Sequence, residues 1–426
     1  MSILASNSVS LLNQSALFNH TKNNWLLPDG VVDLLSTEAV KQETLRHQLT
    51  RILLSHGYEL ISPPMIEYTE SLLGYASEDV KLQTFKIIDQ LTGRLMGVRA
   101  DITPQIARID ANSQNTPHHN TIARYCYAGH VVYTMPKGLF GSRTPLQLGA
   151  EIFGVDDLGS DIELLDVLYT LLASTDLVED SHIDIGHVSI FKSLCELAQL
   201  PDTLQEKLID LYANKALPEL YALTQEMKIH YDFAEDFYLL GAFGNDLDRL
   251  QQQLSVHAKQ HATIQKALQD LHILVKHLRQ KWHATVSVDV TGLGYHYHTG
   301  LVFNVYVENE SLPLVRGGRF SNQFNHTAAD KPARSGVGFS CELNRWQNYI
   351  MASPRPMSLV PYQTVVEVIK SPDHPNHAAL GQMIDTLRSQ GEAVVVALSE
   401  EDCPKQVTHQ LVWQDSQWVK QPFAYQ

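Results

Sequence analysis

Val98-Arg99-Ala100-Asp101-Ile102-Thr103-Pro104-Gln105, then Arg124-Tyr125-Cys126-Tyr127-Ala128-Gly129, then Arg143-Thr144-Pro145-Leu146-Gln147-Leu148-Gly149-Ala150-Glu151-Ile152-Phe153-Gly154: these three pieces decide the fold. Ala123 to Tyr133 is rich in aromatic and β-branched residues and reads as a strand. Leu146 to Phe153 alternates and reads as a second one. Pro136 to Gly141 supplies a glycine- and proline-marked loop between them. Gln147 and Glu151 lie four residues apart, so they share one face of the second strand, with Gly149 between them. A carboxylate and an amide beside a glycine suit the ammonium group of an amino acid. The same alternation also describes the water-facing side of an ordinary strand, and the pattern by itself leaves both readings open.

Three further segments follow in order. They are Gly294-Tyr295-His296-Tyr297-His298-Thr299-Gly300-Leu301-Val302-Phe303, Arg316-Gly317-Gly318-Arg319-Phe320, and Gly336-Val337-Gly338-Phe339 running on to Leu343-Asn344-Arg345. Together with the opening stretch they resemble motif 2, the tyrosine motif, the glycine-pair motif and motif 3 of the histidyl type of class II aminoacyl-tRNA synthetase. The resemblance covers roughly Trp25 to Met351. It implies that Thr84, Gln147, Glu151, Tyr297 and His298 stand where the synthetase holds histidine, with Glu151 on the ammonium group. It also implies a homodimer, built through the motif 1 region.

Two departures concern the activation chemistry. Tyr133 stands where the synthetase carries the arginine that grips the ATP α-phosphate, and Asp289 to Tyr295 contains no arginine, where the synthetase's tyrosine motif opens with one that takes part in histidine activation. Fixed cations stabilise the charge that develops on a reacting phosphate, so their loss lowers activity by orders of magnitude. Arg99, Arg143 and Arg345 remain as candidates for binding an anion. Arg345 has an ordinary reading too, as a helix-surface or intrachain ion pair. A kept amino-acid half beside a dismantled nucleotide half resembles the regulatory-subunit branch of this family, found with ATP phosphoribosyltransferase. That resemblance implies a non-catalytic chain in histidine biosynthesis. It would form a homodimer within a hetero-oligomer with a short-form catalytic subunit, activate that subunit, and make it sensitive to free histidine. The alternatives are an active histidyl-tRNA synthetase and a structural scaffold with a vestigial pocket.

Composition bounds the rest. At 426 residues the chain has room for two or three domains. A net charge of -15 disfavours sequence-independent binding to nucleic acid, tRNA included, because such binding draws on lysine and arginine at phosphates. Cys126, Cys195, Cys341 and Cys403 are scattered and read as reduced thiols of a cytoplasmic protein. The start of the sequence does not read as a signal peptide, and no apolar run is long enough to span a membrane. His296 and His298 have a spacing a metal can use, but no further donors complete a site, so neither a metal nor a cofactor is expected. There is no phosphate loop and no Gly-x-Ser-x-Gly elbow.

The expected architecture is α+β: a class II synthetase-like antiparallel sheet flanked by helices, with a helical insertion and a small C-terminal α/β domain. Residues 1–24 read as a loose arm, 25–353 as the main domain with its insertion at about 160–283, and 357–426 as the small domain after a Pro354-Arg355-Pro356 linker. A helix should run from an N-cap at Ser36 to a stop at Gly57. Tyr58 to Tyr68 should be a strand bent at Pro63-Pro64. Lys81–Ile88 and Arg94–Arg99 should form a hairpin carrying Thr84 on its first arm. Thr103-Pro104 should open a helix, and Ser160 or Asp161 should cap the next one. Asp246–Trp282 should be one or two helices, Thr285–Val290 and Gly300–Val307 neighbouring strands, and Arg316–Arg319 a turn.

Overall fold

The computed structural model describes residues 26–74, 76, 78–113, 122–138, 141–292, 297–308, 310–322, 334–352, 364–368, 377–390, 392–397 and 408–423. Residues 1–24, the 354–356 linker, His296 and Cys403 lie outside them. The chain divides into two compact units, Met1–Met357 and Ser358–Gln426.

The first unit is organised by one eight-stranded sheet. Its members are β1 (Glu59–Leu60), β5 (Ala123–His130), β6 (Leu146–Phe153), β7 (Ser181–His187), β8 (Thr285–Val288), β9 (His298–Val307), β10 (Val315–Asn322) and β11 (Arg334–Glu342), in the order β1-β5-β6-β11-β10-β9-β7-β8. The ladders are antiparallel except at the two ends, where β1 runs parallel to β5 and β8 parallel to β7. Every residue of β6 is buried, so its polar positions are not a wet face. Such a strand must satisfy Gln147 and Glu151 from inside the protein, because water cannot.

Helix α1 (Ser36–Ser55) covers one side and presents Leu45, Leu49 and Leu53 to the core, while Val40 stays exposed. Its N-cap is Leu35, which makes no side-chain cap, rather than Ser36; the stop is as expected, with Gly57 at φ +82°. Pro63-Pro64 breaks the next strand in two instead of bending it. Lacking N–H donors, the prolines end β1, and the chain resumes as β2 (Ile66–Tyr68) in a separate sheet with β3 (Phe85–Ile88) and β4 (Leu95–Val98). Helices α2 (Thr69–Leu73) and α3 (Glu78–Gln83) precede β3, so Thr84 lies at a helix-to-strand junction rather than within a hairpin arm. Helix α4 (Thr103–Ser113) opens at Thr103-Pro104 as expected.

The insertion begins with α5 (Leu158–Ala173), capped by Asp157, whose carboxylate accepts from the Ser160 amide. Ser160 and Asp161 instead serve Arg319. That guanidinium is buried and donates to Asp161 at 2.8 Å, to the Ser160 hydroxyl at 2.6 Å, and to the Val155 and Asp157 carbonyls at 2.8 and 3.0 Å. Arg316–Arg319 therefore belong to strand β10, whose register shifts between Gly318 and Phe320, rather than to a turn. The glycines admit close neighbours: a Cβ on Gly317 would meet Phe303, and one on Gly318 would meet the His298 ring.

After β7 come α6 (Val188–Leu197), α7 (Asp202–Ala213), α8 (Leu217–Met227) and α9 (Ala234–Phe243), then α10 (Leu247–Gln253), α11 (Val256–Gln260) and α12 (Ala262–Trp282). The last stretch thus holds three helices, because Asp246 and Ser255 each accept from an amide three residues on and start a new helix. A break at 214–216 precedes Pro218, which sits in the first turn of α8, and Gly244 follows the end of α9. β8 and β9 are not neighbours, since β7 pairs with both and separates them. Helix α13 (Leu343–Ala352) closes the unit.

The second unit contains β12 (Thr364–Val368), α14 (His377–Ser389), β13 (Ala393–Ala397), β14 (His409–Gln414) and β15 (Gln417–Pro422), with strand order β13-β12-β14-β15. β14 and β15 form a hairpin that turns at Asp415 and Ser416, both at positive φ.

Arg319→Leu leaves Asp161 as a buried carboxylate without its cation. Loss of one partner of such a pair costs about 3–5 kcal/mol. Burial, opposed by Arg319, already raises the Asp161 pKa to about 6. Urea denaturation of the variant should therefore show a large loss at pH 8 and a smaller one at pH 5, where Asp161 is protonated.

Candidate functional site

A cavity of about 570 Å³ in the first unit lies over the middle of the large sheet. Strand register lays out its floor. Glu151 pairs with Gly338, Gly149 with Ser340 and Gln147 with Glu342 across β6 and β11. Gly338 continues to Gly318 and Ser340 to Arg316 on β10, and these to Val302 and Asn304 on β9. All these side chains share one face of the sheet. Glycines open space where the ladder would otherwise be filled. A Cβ on Gly338 would collide with Glu151 Oε2, and one on Gly149 with the Tyr127 ring.

Glu151 is 1% exposed. Its Oε1 accepts from the Thr103 hydroxyl at 3.1 Å and the Tyr127 hydroxyl at 3.3 Å. Its Oε2 is buried and has no hydrogen-bond partner. Burial raises the Glu151 pKa to about 8, with the two hydroxyls lowering it and Asp101 raising it further. Gln147 is bound at both ends: its Oε1 accepts from the Ile102 amide at 2.9 Å, and its Nε2 donates to Asp101 at 2.8 Å. His298 is buried, lines the cavity and stacks against Tyr297 at 4.4 Å between ring centroids. Tyr297 lies edge-on to Phe320 at 6.2 Å.

The structure thus brings Gln147, Glu151, Tyr297 and His298 together and leaves Thr84 outside the cavity lining. The Thr84 hydroxyl donates to the Val80 carbonyl at 2.7 Å, completing the end of α3. Nor do the three expected anion-binding arginines converge. Arg99 donates to the His130 and Pro63 carbonyls at 2.8 and 2.7 Å and is buried beside β5. Arg143 donates to the Tyr133 and Asp29 carbonyls at 3.0 and 3.3 Å. Arg345 reaches the cavity, but its guanidinium holds the Pro313 and Leu312 carbonyls, both at 2.9 Å, and Glu310 at 3.2 Å. Carbonyl oxygens are good partners for a guanidinium, and each bond made this way removes a donor from any incoming anion.

Sequence reasoning passed over Asp101, Thr103, Tyr127, Lys137, Arg316 and Glu342 as members of the site, although each sits in or beside a quoted motif. At the Gln147 end, Tyr133 donates to Glu342 at 2.9 Å, and the Lys137 ammonium donates to the Tyr133 hydroxyl at 2.9 Å. A carboxylate and a phenol therefore occupy the place where the family's phosphate-gripping arginine would be expected. Register alone puts Glu342 opposite Gln147, and register is not written in either strand.

Residues 30–346 match the family model for histidyl-tRNA synthetase, and residues 367–421 match that for the ATP phosphoribosyltransferase subunit HisZ C-terminal domain. An ATP phosphoribosyltransferase regulatory subunit from Psychrobacter arcticus is 50% identical over 396 residues, covering 92% of this chain and 99% of that one. Among solved structures, an ATP phosphoribosyltransferase regulatory subunit/histidyl-tRNA synthetase from Bacillus halodurans superposes with a TM-score of 0.70 at 21% identity, over 88% of this chain and 93% of that one. The ATP phosphoribosyl transferase (HisG:HisZ) complex from Thermotoga maritima contains a chain matching with a TM-score of 0.53 at 19% identity, over 71% of this chain and 97% of that one.

The fold is therefore that of the class II aminoacyl-tRNA synthetases of the histidyl type. Within that class the chain belongs to the ATP phosphoribosyltransferase regulatory subunits, non-catalytic chains of histidine biosynthesis.

With a folded pKa of about 8 against an ordinary 4.5, Glu151 keeps its proton in the folded chain over a range where the unfolded chain has lost it. Stability of the ligand-free protein should fall as pH rises from about 4.5 to 8 and level off above. Glu151→Gln removes this dependence. Its stability relative to the parent, measured by urea unfolding at pH 5.0, 6.5 and 8.5, should rise steadily. Parallel curves would mean that Glu151 is ionised in the fold.

Proposed function

We propose that this chain activates a catalytic ATP phosphoribosyltransferase subunit and carries the site through which free histidine inhibits the complex. The observation that carries the reading is the partnerless, buried Oε2 of Glu151 in a cavity also lined by Gln147, Tyr297 and His298. Tyr133 and Glu342 stand in the former nucleotide half, which suits a sensor rather than an adenylate-forming enzyme. The Thermotoga maritima relative is solved in a complex of two kinds of subunit, and we extend a catalytic partner to this chain. The partner would be the short-form subunit, the setting cytoplasmic, and tRNA no ligand. Among the described residues no helix is long and apolar enough to cross a membrane. Leu60, Met65, Ile66, Ile88 and Leu95, exposed on β1 to β4 and the segments joining them, favour a homodimer within that assembly.

Histidine would enter with its imidazole on Glu151 and its ammonium near Asp101, rather than with the ammonium on Glu151. A permanently charged ammonium at a fully buried carboxyl must both lose its water and expel the proton. An imidazole, with a pKa near that of the carboxyl, can share that proton instead. Thr84 keeps a supporting part, holding the end of α3 beside the cavity.

Phosphoribosyl-ATP formation by a short-form catalytic subunit should rise on addition of this chain and fall on further addition of histidine. Glu151→Ala should blunt the fall without preventing assembly. No response to mixing, or histidine-dependent pyrophosphate exchange into ATP by this chain alone, would overturn the reading.

Calorimetric titration with histidine should give an affinity nearly constant between pH 6.5 and 8.0, since the shared proton is neither gained nor lost. An ammonium on Glu151 would instead give an affinity that rises about tenfold per pH unit below pH 8.

A further inference from the structure

The cavity has two chemically different ends. At one end lies the partnerless Glu151 carboxyl. Four residues along β6, about 13 Å away at the usual rise per residue, Gln147 marks the other. There the connection between β5 and β6 brings Lys137 over the floor. The turn that follows it is made at Gly138, φ +80°, where a side chain would be strained.

Lys137 is held in a fixed place. Its ammonium donates to the Tyr133 hydroxyl at 2.9 Å and lies 3.7 Å from Glu342 Oε1, and the Tyr133 hydroxyl itself donates to that oxygen. The ammonium has three N–H donors and the Tyr133 hydroxyl takes one, which leaves donors for a ligand. Arg316 also lines the cavity and acts on Lys137 electrostatically. Lys137 and Arg316 supply the positive charge at this end, facing the carboxylates of Glu342 and Asp101. Asp101, the carboxylate bonded to Gln147 and also felt by Lys137, stands ready for a cation next to it.

We propose that Lys137 receives the α-carboxylate of the amino-acid effector. The inference rests on the histidine site proposed above and names what makes it selective for a free amino acid. Tyr133 and Glu342 are then positioning residues: they replace a phosphate grip with a bracket that aims one ammonium. Arg345 does not compete for the role, because its guanidinium is taken by two carbonyls and Glu310. The zwitterion lies with carboxylate on Lys137, ammonium beside Asp101 and imidazole at Glu151.

The test uses the full chain and two probes, histidine and histidinol, which has a hydroxymethyl group in place of the carboxylate. Calorimetric titration should show that the parent chain prefers histidine. Lys137→Gln should weaken histidine binding by about tenfold to a hundredfold, the usual effect of losing a hydrogen bond to a charged group. It should leave histidinol binding within a few-fold, collapsing the preference. Lys137→Arg should restore much of it, and thermal melts should show both variants folded. Histidine bound as tightly by Lys137→Gln as by the parent, or a preference that survives the substitution, would overturn the role of Lys137 while leaving the histidine site standing. Failure of the parent to bind either probe would remove the site itself, and this assignment with it.

Discussion

A carboxyl group with one oxygen satisfied and the other left without a partner, deep over a β-sheet, is a costly thing to build. Glu151 is that group, and the middle of the sheet is arranged around it. Thr103 and Tyr127 fix one oxygen from the helix and strand on either side. Gly338, directly across the ladder, exists as glycine because any larger residue would strike the other oxygen. Gly149 admits the Tyr127 ring, and Gly318 admits His298. Burial keeps the carboxyl protonated near neutrality, so the floor is stable when empty yet able to accept a nitrogen of a ligand.

The rest of the first unit supports this floor from outside. Arg319 leaves the same strand as Arg316 but turns away from the cavity to hold the start of α5, tying the sheet to the helical insertion. Lys192 and Ser189 on α6 donate to the carbonyls of His298 and Thr299, so the first helix after β7 grips the strand that carries a cavity residue. A change at His298 therefore has a direct physical connection to the insertion.

The nucleotide half illustrates how an active site is retired without loss of fold. Three arginines that survive near it, Arg99, Arg143 and Arg345, now serve main-chain carbonyls. An arginine has five donors, and a fold can use them for architecture as readily as a ligand can. Tyr133 and Glu342 complete the change by placing an acceptor where a phosphate would need donors. The arginine that would grip the α-phosphate is replaced by Tyr133, while the cavity remains.

Much of this was legible in the sequence because it rests on local pattern. The alternation of β6, the leucine stripe of α1, the glycine stop at Gly57 and the proline start of α4 depend only on neighbours along the chain. The motifs also carried Gln147, Glu151, Tyr297 and His298 to one place, since their spacing follows from the order of the strands. What the tertiary structure decided was the parity and partnership of strands. Arg316–Arg319 read as a turn because two glycines in a row look like one, yet each glycine answers a ring packed from a neighbouring strand. β7 came between β8 and β9 because a parallel neighbour is chosen by packing, not by proximity in sequence. The cations showed the same limit. Nothing local distinguishes an arginine that faces a ligand from one that holds carbonyls, so the sequence named Arg99 and Arg143, and only the folded chain brought Lys137 to the cavity.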